Sequence, residues 1–555
     1  MGYRRDEVKA PRVAGLALKA FVGALESRVG PVLVDKLVTD SGIQKWRKTP
    51  TDAPPLQHPL PHPRSPAGEQ PGAVEQAASV IGGAAATKRE TVATFARAYR
   101  EGADPLAVVR KVHQEIERLD GRDERLGIFI SRKPDEVLAA AEASSQRLRA
   151  GKALSVLDGV PVVLKDEVDL EGHVTTLGTK FRKEIAPKDS TVAARLKQAG
   201  AVILGKVNMN EIGINPIGLN PWHGPARNPW NRHHMTGGSS SATGGAIAAG
   251  LCPIGIGADG GGSIRIPAAL CGIAGLKATW GRIPETGIPP LCWNVGHVGP
   301  MGLTVDDVAA MYAVLAGPDG HDLVSAMQPA PHLHGYADGN LSGVRLGICW
   351  AQFEDASPDV VARCREAVKL MTDAGATVVE IDAPDLNTVL WTHSVIILSE
   401  MVTSMRNQVE SDPSVFALDS RTNLAIGQFF RATDYVHALR HRHAMTKDWL
   451  KVMTGCDVIV TPTTATTAPP IPEDTLPDGD SNLPVVDALM RFIRLGNLTG
   501  FPALSVNAGF DNAGLPVGVH LMGRPWEENL LLRLGRVIER GVEVRVPPEH
   551  ARALT

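Results

Sequence analysis

Residues 237–279, GGSSSATGGAIAAGLCPIGIGADGGGSIRIPAALCGIAGLKAT, constrain this chain more than any other stretch. Two glycine-serine clusters are joined by a run of small residues with a helical pattern. A flexible Gly/Ser linker is the plainest explanation of such a composition. It fits badly, because Ile247, Leu251, Ile254, Ile256, Ile266, Leu270 and Ile273 are interleaved with the glycines. Those side chains need a core, so the glycines belong where backbone packs closely. Gly255-x-Gly257-x-x-Gly260 has the spacing of a dinucleotide-binding turn. That fingerprint also needs a strand before it, a helix after it and an acidic residue about 20 positions on. The residues there are Thr279, Trp280 and Gly281. The chain has no G-x-x-x-x-G-K-[ST] loop and no Gly-x-Ser-x-Gly around Ser239 or Ser263.

Outside this segment the pattern is α/β. Residues 160–165 (VPVVLK) read as a strand, 191–198 as a helix closed by Gly200, and 201–205 as the next strand. A strand over 344–349, a helix over 358–373 and a strand over 377–381 repeat the motif. Further strands are expected at 458–461, 503–506 and 517–521, with a late helix at 527–539. Strands interspersed with helices predict an α/β fold with one large central β-sheet covered by helices on both faces. A length of 555 residues at 43% hydrophobic composition supplies an ample core.

Upstream, residues 88–150 look helical, with Asp104-Pro105 as a cap followed by proline at the first helical position. Residues 49–87 read as a linker, extended and proline-rich over 49–72. Residues 12–38 read as one or two amphipathic helices with Leu18, Phe21, Val22, Leu25 and Val29 on one face. Packing of that face on the protein's own body is the favoured reading. Peripheral membrane contact, or a cover over a lipid-substrate entrance, is the alternative. Three regions follow: an N-terminal helical extension at 1–48, the linker at 49–87, and a domain at 88–555 with its core at about 155–320.

The formal net charge of -3 is spread along the chain, which gives no basic footprint for nucleic acid. Six cysteines without a C-x-x-C suit free thiols in a reducing compartment. No H-E-x-x-H or Cys/His cluster suggests a metal, and His58, His62, His233 and His234 read as loop residues. The first residues lack an apolar signal core, Asp6 breaks the myristoylation pattern, and no run of about 18–20 apolar residues occurs. A soluble cytoplasmic location is the expectation.

Gly237-Gly238-Ser239-Ser240, then Gly260-Gly261-Gly262-Ser263-Ile264-Arg265-x-Pro267, then Gly272-x-x-Gly275-Leu276-Lys277 resemble the amidase signature. The 24-residue step from Ser239 to Ser263 agrees with that family, as does Lys165, 74 residues before Ser239. Asp457-Val-Ile-Val-Thr-Pro-Thr-Thr464, Leu489-Met490-Arg491-Phe492, Gly500-Phe501-Pro502-Ala503, Met522-Gly523-Arg524-Pro525-Trp526 and Lys9-Ala10-Pro11 are similar to the plant-type fatty acid amide hydrolase branch.

The resemblance implies Ser263 as nucleophile, Ser239 as a proton relay after a cis peptide bond, and Lys165 as base, with no metal or organic cofactor. Lys165 would have to be neutral to serve, against an ordinary pKa of about 10.4, and burial is what lowers it. Its competing reading is a strand-end lysine paired with Asp166 or Glu167. Gly260, Gly261 and Gly262 can let backbone N–H groups converge on an oxyanion. Gly238, Ser240, Asp259 and Arg265 read as structural supports. Ala258 and Ala242 depart from the threonine and glycine usual in the family. The implied partner is a small-molecule amide with an apolar acyl or aryl group, and a homodimer is implied by analogy. An esterase or carbamate hydrolase, an inactive scaffold and the glutaminase component of an amidotransferase are the alternatives.

Overall fold

The computed structural model describes residues 3–554 apart from 4, 9, 56–59, 62–71, 85, 86, 88, 122, 123, 384 and 477. Lys9, His58, His62 and most of the proline-rich stretch therefore lie outside the described residues. The centre is one mixed sheet of 11 strands. In chain order they are β1 (Phe129–Ser131), β2 (Pro161–Lys165), β3 (Val202–Val207), β4 (Ile254–Ala258), β5 (Ala274–Lys277) and β6 (Val298–Gly302). The remainder are β7 (Arg345–Ile348), β8 (Thr377–Glu380), β9 (Val458–Pro462), β10 (Ala503–Phe510) and β11 (Pro516–Gly523).

Their spatial order is β8-β7-β9-β11-β10-β5-β6-β4-β2-β3-β1. The pairs β8/β7, β7/β9, β4/β2 and β2/β3 run parallel, and the rest are antiparallel. Both faces are covered, as the central pair shows. Leu504 and Val506 of β10 meet Gly535 of the helix Glu528–Gly541. Gly518 lies in register with Asn507, on the opposite face, and meets Ala269 of the helix Arg265–Cys271. This alternation is the period-two geometry of a strand buried on both sides.

Most expected elements occur. The helices Thr191–Gln198 and Pro358–Asp373 have the anticipated bounds, and Gly200 takes φ +87° after the first. β10 and β11 run longer than expected. Strands β4, β5 and β6 are additions to the expected set, because their glycine and proline content hides the β pattern. Within 88–150, β1 interrupts the helices. The linker reading of 49–87 misses the helix Ala73–Gly82, which buries Ala77, Val80 and Ile81. Between β8 and β9, where the sequence pattern predicts no element, the chain forms Leu386–Ser404, Arg406–Ser411, Leu418–Phe429 and Ala432–Val452.

The amphipathic region at 12–38 forms two helices, Gly15–Leu25 and Gly30–Asp40. Leu18, Val22 and Leu25 are buried, and the first helix packs on Leu418–Phe429. Val29, expected on the same face, is instead 62% exposed, because the first helix ends at Leu25 and the periodicity does not carry across the break. No helix among the described residues is long and apolar enough to cross a membrane.

Candidate active site

The two serine clusters meet because helix Ser241–Ala248 lies directly against β2 and β4. Gly255 and Gly257 make this approach close. A β-carbon on Gly255 would sit 2.8 Å from both Thr243 Cγ2 and Val163 Cγ2, and one on Gly257 would sit 2.9 Å from Ser240 Oγ. The Gly-x-Gly spacing that resembles a nucleotide turn is thus inside a strand and serves helix-on-sheet packing. Ser239 precedes the helix, follows a cis Gly238–Ser239 peptide, and is almost wholly buried. Ser240 N–H donates to the Ser263 carbonyl at 3.2 Å, which ties the first cluster to the second.

Lys165 ends β2 beneath these serines, 1% exposed. Its ammonium position has three acceptors: Ser239 Oγ at 2.8 Å, the Ala258 carbonyl at 3.2 Å and Glu167 Oε2 at 2.6 Å. Three acceptors match the three N–H donors of an ammonium. The burial brings a carboxylate with it, so the buried lysine also makes the Glu167 pairing that is its competing reading in the sequence. Asp166 is not the partner, since its side chain pairs with Lys206 at 3.0 Å. Ala258 takes part through its backbone alone, accepting from Lys165 and from Ser240 Oγ at 3.1 Å, so threonine's hydroxyl is not needed for these contacts.

Ser263 follows the glycine turn and is 8% exposed. Its hydroxyl makes no hydrogen bond among the described residues, so the Lys165–Ser239 half of the expected relay is formed and the Ser239–Ser263 half is not. Gly262 has φ +126°, and a β-carbon there would lie 2.1 Å from Ile493 Cδ1. The Gly262 N–H donates to Asp259 Oδ1 at 2.6 Å. Gly262 is thereby removed from the set of oxyanion donors, because a committed N–H is not available to a substrate. The N–H groups of Gly260, Gly261 and Ser263 carry no hydrogen bond among the described residues.

Asp259 and Arg265 form a buried bidentate pair, Arg265 Nε to Oδ2 and Nη2 to Oδ1, each at 3.0 Å. Asn497 Nδ2 donates to the Asp259 carboxylate and to its carbonyl, both at 2.9 Å. Burial alone would raise the Asp259 carboxyl. The Arg265 charge and the Arg265 and Asn497 hydrogen bonds outweigh it and hold the group well below the carboxylate range. Lys277, from the same signature, is buried against the Phe501 carbonyl at 2.6 Å and is pushed well below its ordinary value by burial and then by Arg265.

Several apolar side chains lie near the serines. Leu291 and Met209 flank Gly213, which approaches Ser239 Oγ, while Ile397, Met490 and Ile493 lie against the glycine turn. His393 Nε2 meets the Gly260 carbonyl at 2.8 Å. Glu167, His393 and Asn497 carry no site role in the sequence reading. Of the three, Glu167 alone has a local signal, since it stands two residues beyond Lys165, where the sequence casts it as a structural partner.

Residues 110–532 match the family profile described as Amidase. The fatty acid amide hydrolase of Arabidopsis thaliana is 36% identical, with 98% of this chain and 95% of that protein covered. A glutamyl-tRNA(Gln) amidotransferase subunit from Chloroflexus aggregans is 34% identical over 81% of this chain and 96% of its own length. The solved peptide amidase of Stenotrophomonas maltophilia superposes with a TM-score of 0.70 at 26% identity, covering 83% of this chain and 98% of its own. Signature residues, sheet and matched length agree: the chain is an amide-hydrolysing enzyme of the amidase signature family.

Proposed function

We propose that this enzyme hydrolyses amides with an apolar acyl or aryl group, N-acylethanolamine-like fatty amides foremost, through an acyl-enzyme on Ser263. The observation that carries the reading is the contact of Lys165 Nζ with Ser239 Oγ at 2.8 Å, one residue from the backbone tie to Ser263. In the chemistry that follows, Ser263 Oγ attacks the amide carbon and passes its proton to Ser239, which passes one to Lys165. Lys165 accepts that proton only as a neutral amine, so an ammonium there would first give one up. Glu167 Oε2, at 2.6 Å, is positioned to take it. The tetrahedral oxyanion is received by free N–H groups of the glycine turn. Collapse breaks the C–N bond, with the relay returning a proton to the departing amine. Water then repeats the sequence on the acyl-Ser263 ester and releases the acid.

Ile397, Met490 and Ile493 beside the glycine turn suit a hydrocarbon acyl group better than the polar glutamine chain that an amidotransferase takes. The likeness to the Arabidopsis fatty acid amide hydrolase over nearly the whole chain supports the same choice. The test is labelling with a fluorophosphonate followed by peptide mapping, with amine release measured over a panel of acyl chain lengths. Label on Ser263, lost in Lys165→Ala, together with faster turnover of long acyl chains is expected. Full activity in Ser263→Ala, or turnover of glutamine alone, overturns the reading.

A further inference from the structure

A planar trans peptide points its C=O and its N–H in opposite directions, so whatever holds one end aims the other. Two successive peptides of the glycine turn have their carbonyls held from outside. Asn497 Nδ2 holds the Asp259 carbonyl at 2.9 Å, which turns the Gly260 N–H away from Asn497. His393 Nε2 holds the Gly260 carbonyl at 2.8 Å, which turns the Gly261 N–H away from His393. These two N–H groups are uncommitted among the described residues, and the turn has no β-carbons to shield them.

His393 reaches the turn from Leu386–Ser404, a helix outside the signature segment. It is 2% exposed, and the bond to Gly260 is the only hydrogen bond its ring makes among the described residues. A carbonyl only accepts, so Nε2 must carry the proton and Nδ1 is bare in the neutral ring. Burial lowers the ring to about 4, with the Gly260 carbonyl opposing and the Arg494 charge adding to the fall, so the neutral form prevails at neutral pH. Asn497 cannot be tested alone, since it also supports Asp259 and Arg265. His393 can.

We infer that His393 is a positioning residue of the oxyanion site: by holding the Gly260 carbonyl it aims the Gly261 N–H at the developing charge. The inference rests on the proposed Ser263 chemistry and names a residue that the signature does not contain. It also makes the helix Leu386–Ser404, which supplies Ile397 to the same turn, part of the catalytic geometry rather than only a wall.

The experiment compares wild type with His393→Ala and His393→Gln. The readouts are kcat and KM on a long-chain amide, and the inhibition constants of a trifluoromethyl ketone and of the methyl ketone with the same chain. The first ketone forms a tetrahedral alkoxide on the serine, and the second reports ground-state binding. Complete loss of one oxyanion donor costs about 10²–10³ in rate, and a misaimed donor keeps part of its effect. His393→Ala should therefore lower kcat by about 10- to 100-fold with KM nearly unchanged, and weaken the trifluoromethyl ketone by a similar factor but not the methyl ketone. His393→Gln, which restores an N–H donor, should recover most of both. Unchanged kcat and trifluoromethyl ketone affinity in His393→Ala overturn the inference, as does a parallel loss of both ketones. Should the alanine variant fail to fold, His393→Met, similar in bulk and without a donor, carries the same comparison. Failure of the parent reading looks different: Ser263→Ala would keep its activity.

Discussion

Arg265→Met removes a heavily engaged buried cation while keeping most of its length. The wild-type guanidinium is fully buried and donates to Asp259 at both carboxylate oxygens, to Asn497 Oδ1 at 2.6 Å, to the Ile493 carbonyl at 3.0 Å and to His520 Nε2 at 3.0 Å. After the substitution, Asp259 keeps the Gly262 and Ile264 amides and Asn497, but loses its counter-ion. Breaking a buried pair on one side costs about 3–5 kcal/mol, since an uncompensated charge is left inside. Lys277 lies near enough to interact with Asp259, and Arg265 helps suppress its charge, so its recovery places the loss toward the lower end. With an unfolding entropy of about 2.1 cal/mol/K per residue, a chain of this length should lose roughly 2.5–3.5 °C in Tm at pH 7.5.

The pH dependence gives the sharper check. In the wild type the Asp259 carboxyl is depressed, so its stabilisation is present above the unfolded carboxylate range, near pH 4, and is lost only as pH falls below it. In the variant, burial is opposed only by the Gly262 and Ile264 amides, Asn497 and the Lys277 charge, so the carboxyl rises from its wild-type position. The variant's penalty is then full at pH 7.5 and fades as pH falls toward 4. Calorimetry at pH 7.5, 6 and 5 should show the gap between the two proteins closing with acidification. Equal Tm values at pH 7.5, or a gap that stays constant with pH, would refute the reasoning.

Two further substitutions probe the site. Gly262→Ala places a β-carbon 2.1 Å from Ile493 Cδ1 at φ +126°, so it should lower both stability, by about 1–3 kcal/mol as overpacking does, and kcat. Adding Ile493→Ala should relieve the clash but not the backbone strain, and complete rescue in urea melts would contradict this. Glu167→Gln keeps a hydrogen-bonding side chain but cannot hold the proton released by Lys165, so amine release should fall by at least about tenfold across pH 6–9. The same change removes a negative neighbour from Glu285, which burial, then Asp322 and Glu167, push up to about 8, so that carboxyl should titrate lower by NMR. Wild-type turnover in Glu167→Gln would leave the ion pair with a structural role alone.

Sequence by itself determined the local chemistry. The glycines around Ser239 and Ser263, the lysine at the end of VPVVLK and the helix periods at 191–198 and 358–373 follow from backbone sterics and hydrophobic spacing, which act over a few residues. The family-like spacing then joined the pieces into one site. Strands β4, β5 and β6 are illegible in the sequence because glycine and proline suppress the local β signal, and only pairing with neighbouring strands makes them strands. Val29 falls off its expected face because a helix end resets the period.

Tertiary structure decided which groups complete the site and which do not. His393 and Gly260 are 133 residues apart in the chain, and Asn497 and Asp259 are 238 apart. No local pattern encodes such a meeting, since it depends on how whole helices dock on the sheet. The same docking holds the carbonyl behind the free Gly261 N–H, whereas the Gly262 N–H turns to Asp259, only three residues back in the chain. Local sequence sets the conformations available to a peptide, but its direction is fixed by hydrogen-bond partners that packing brings from elsewhere.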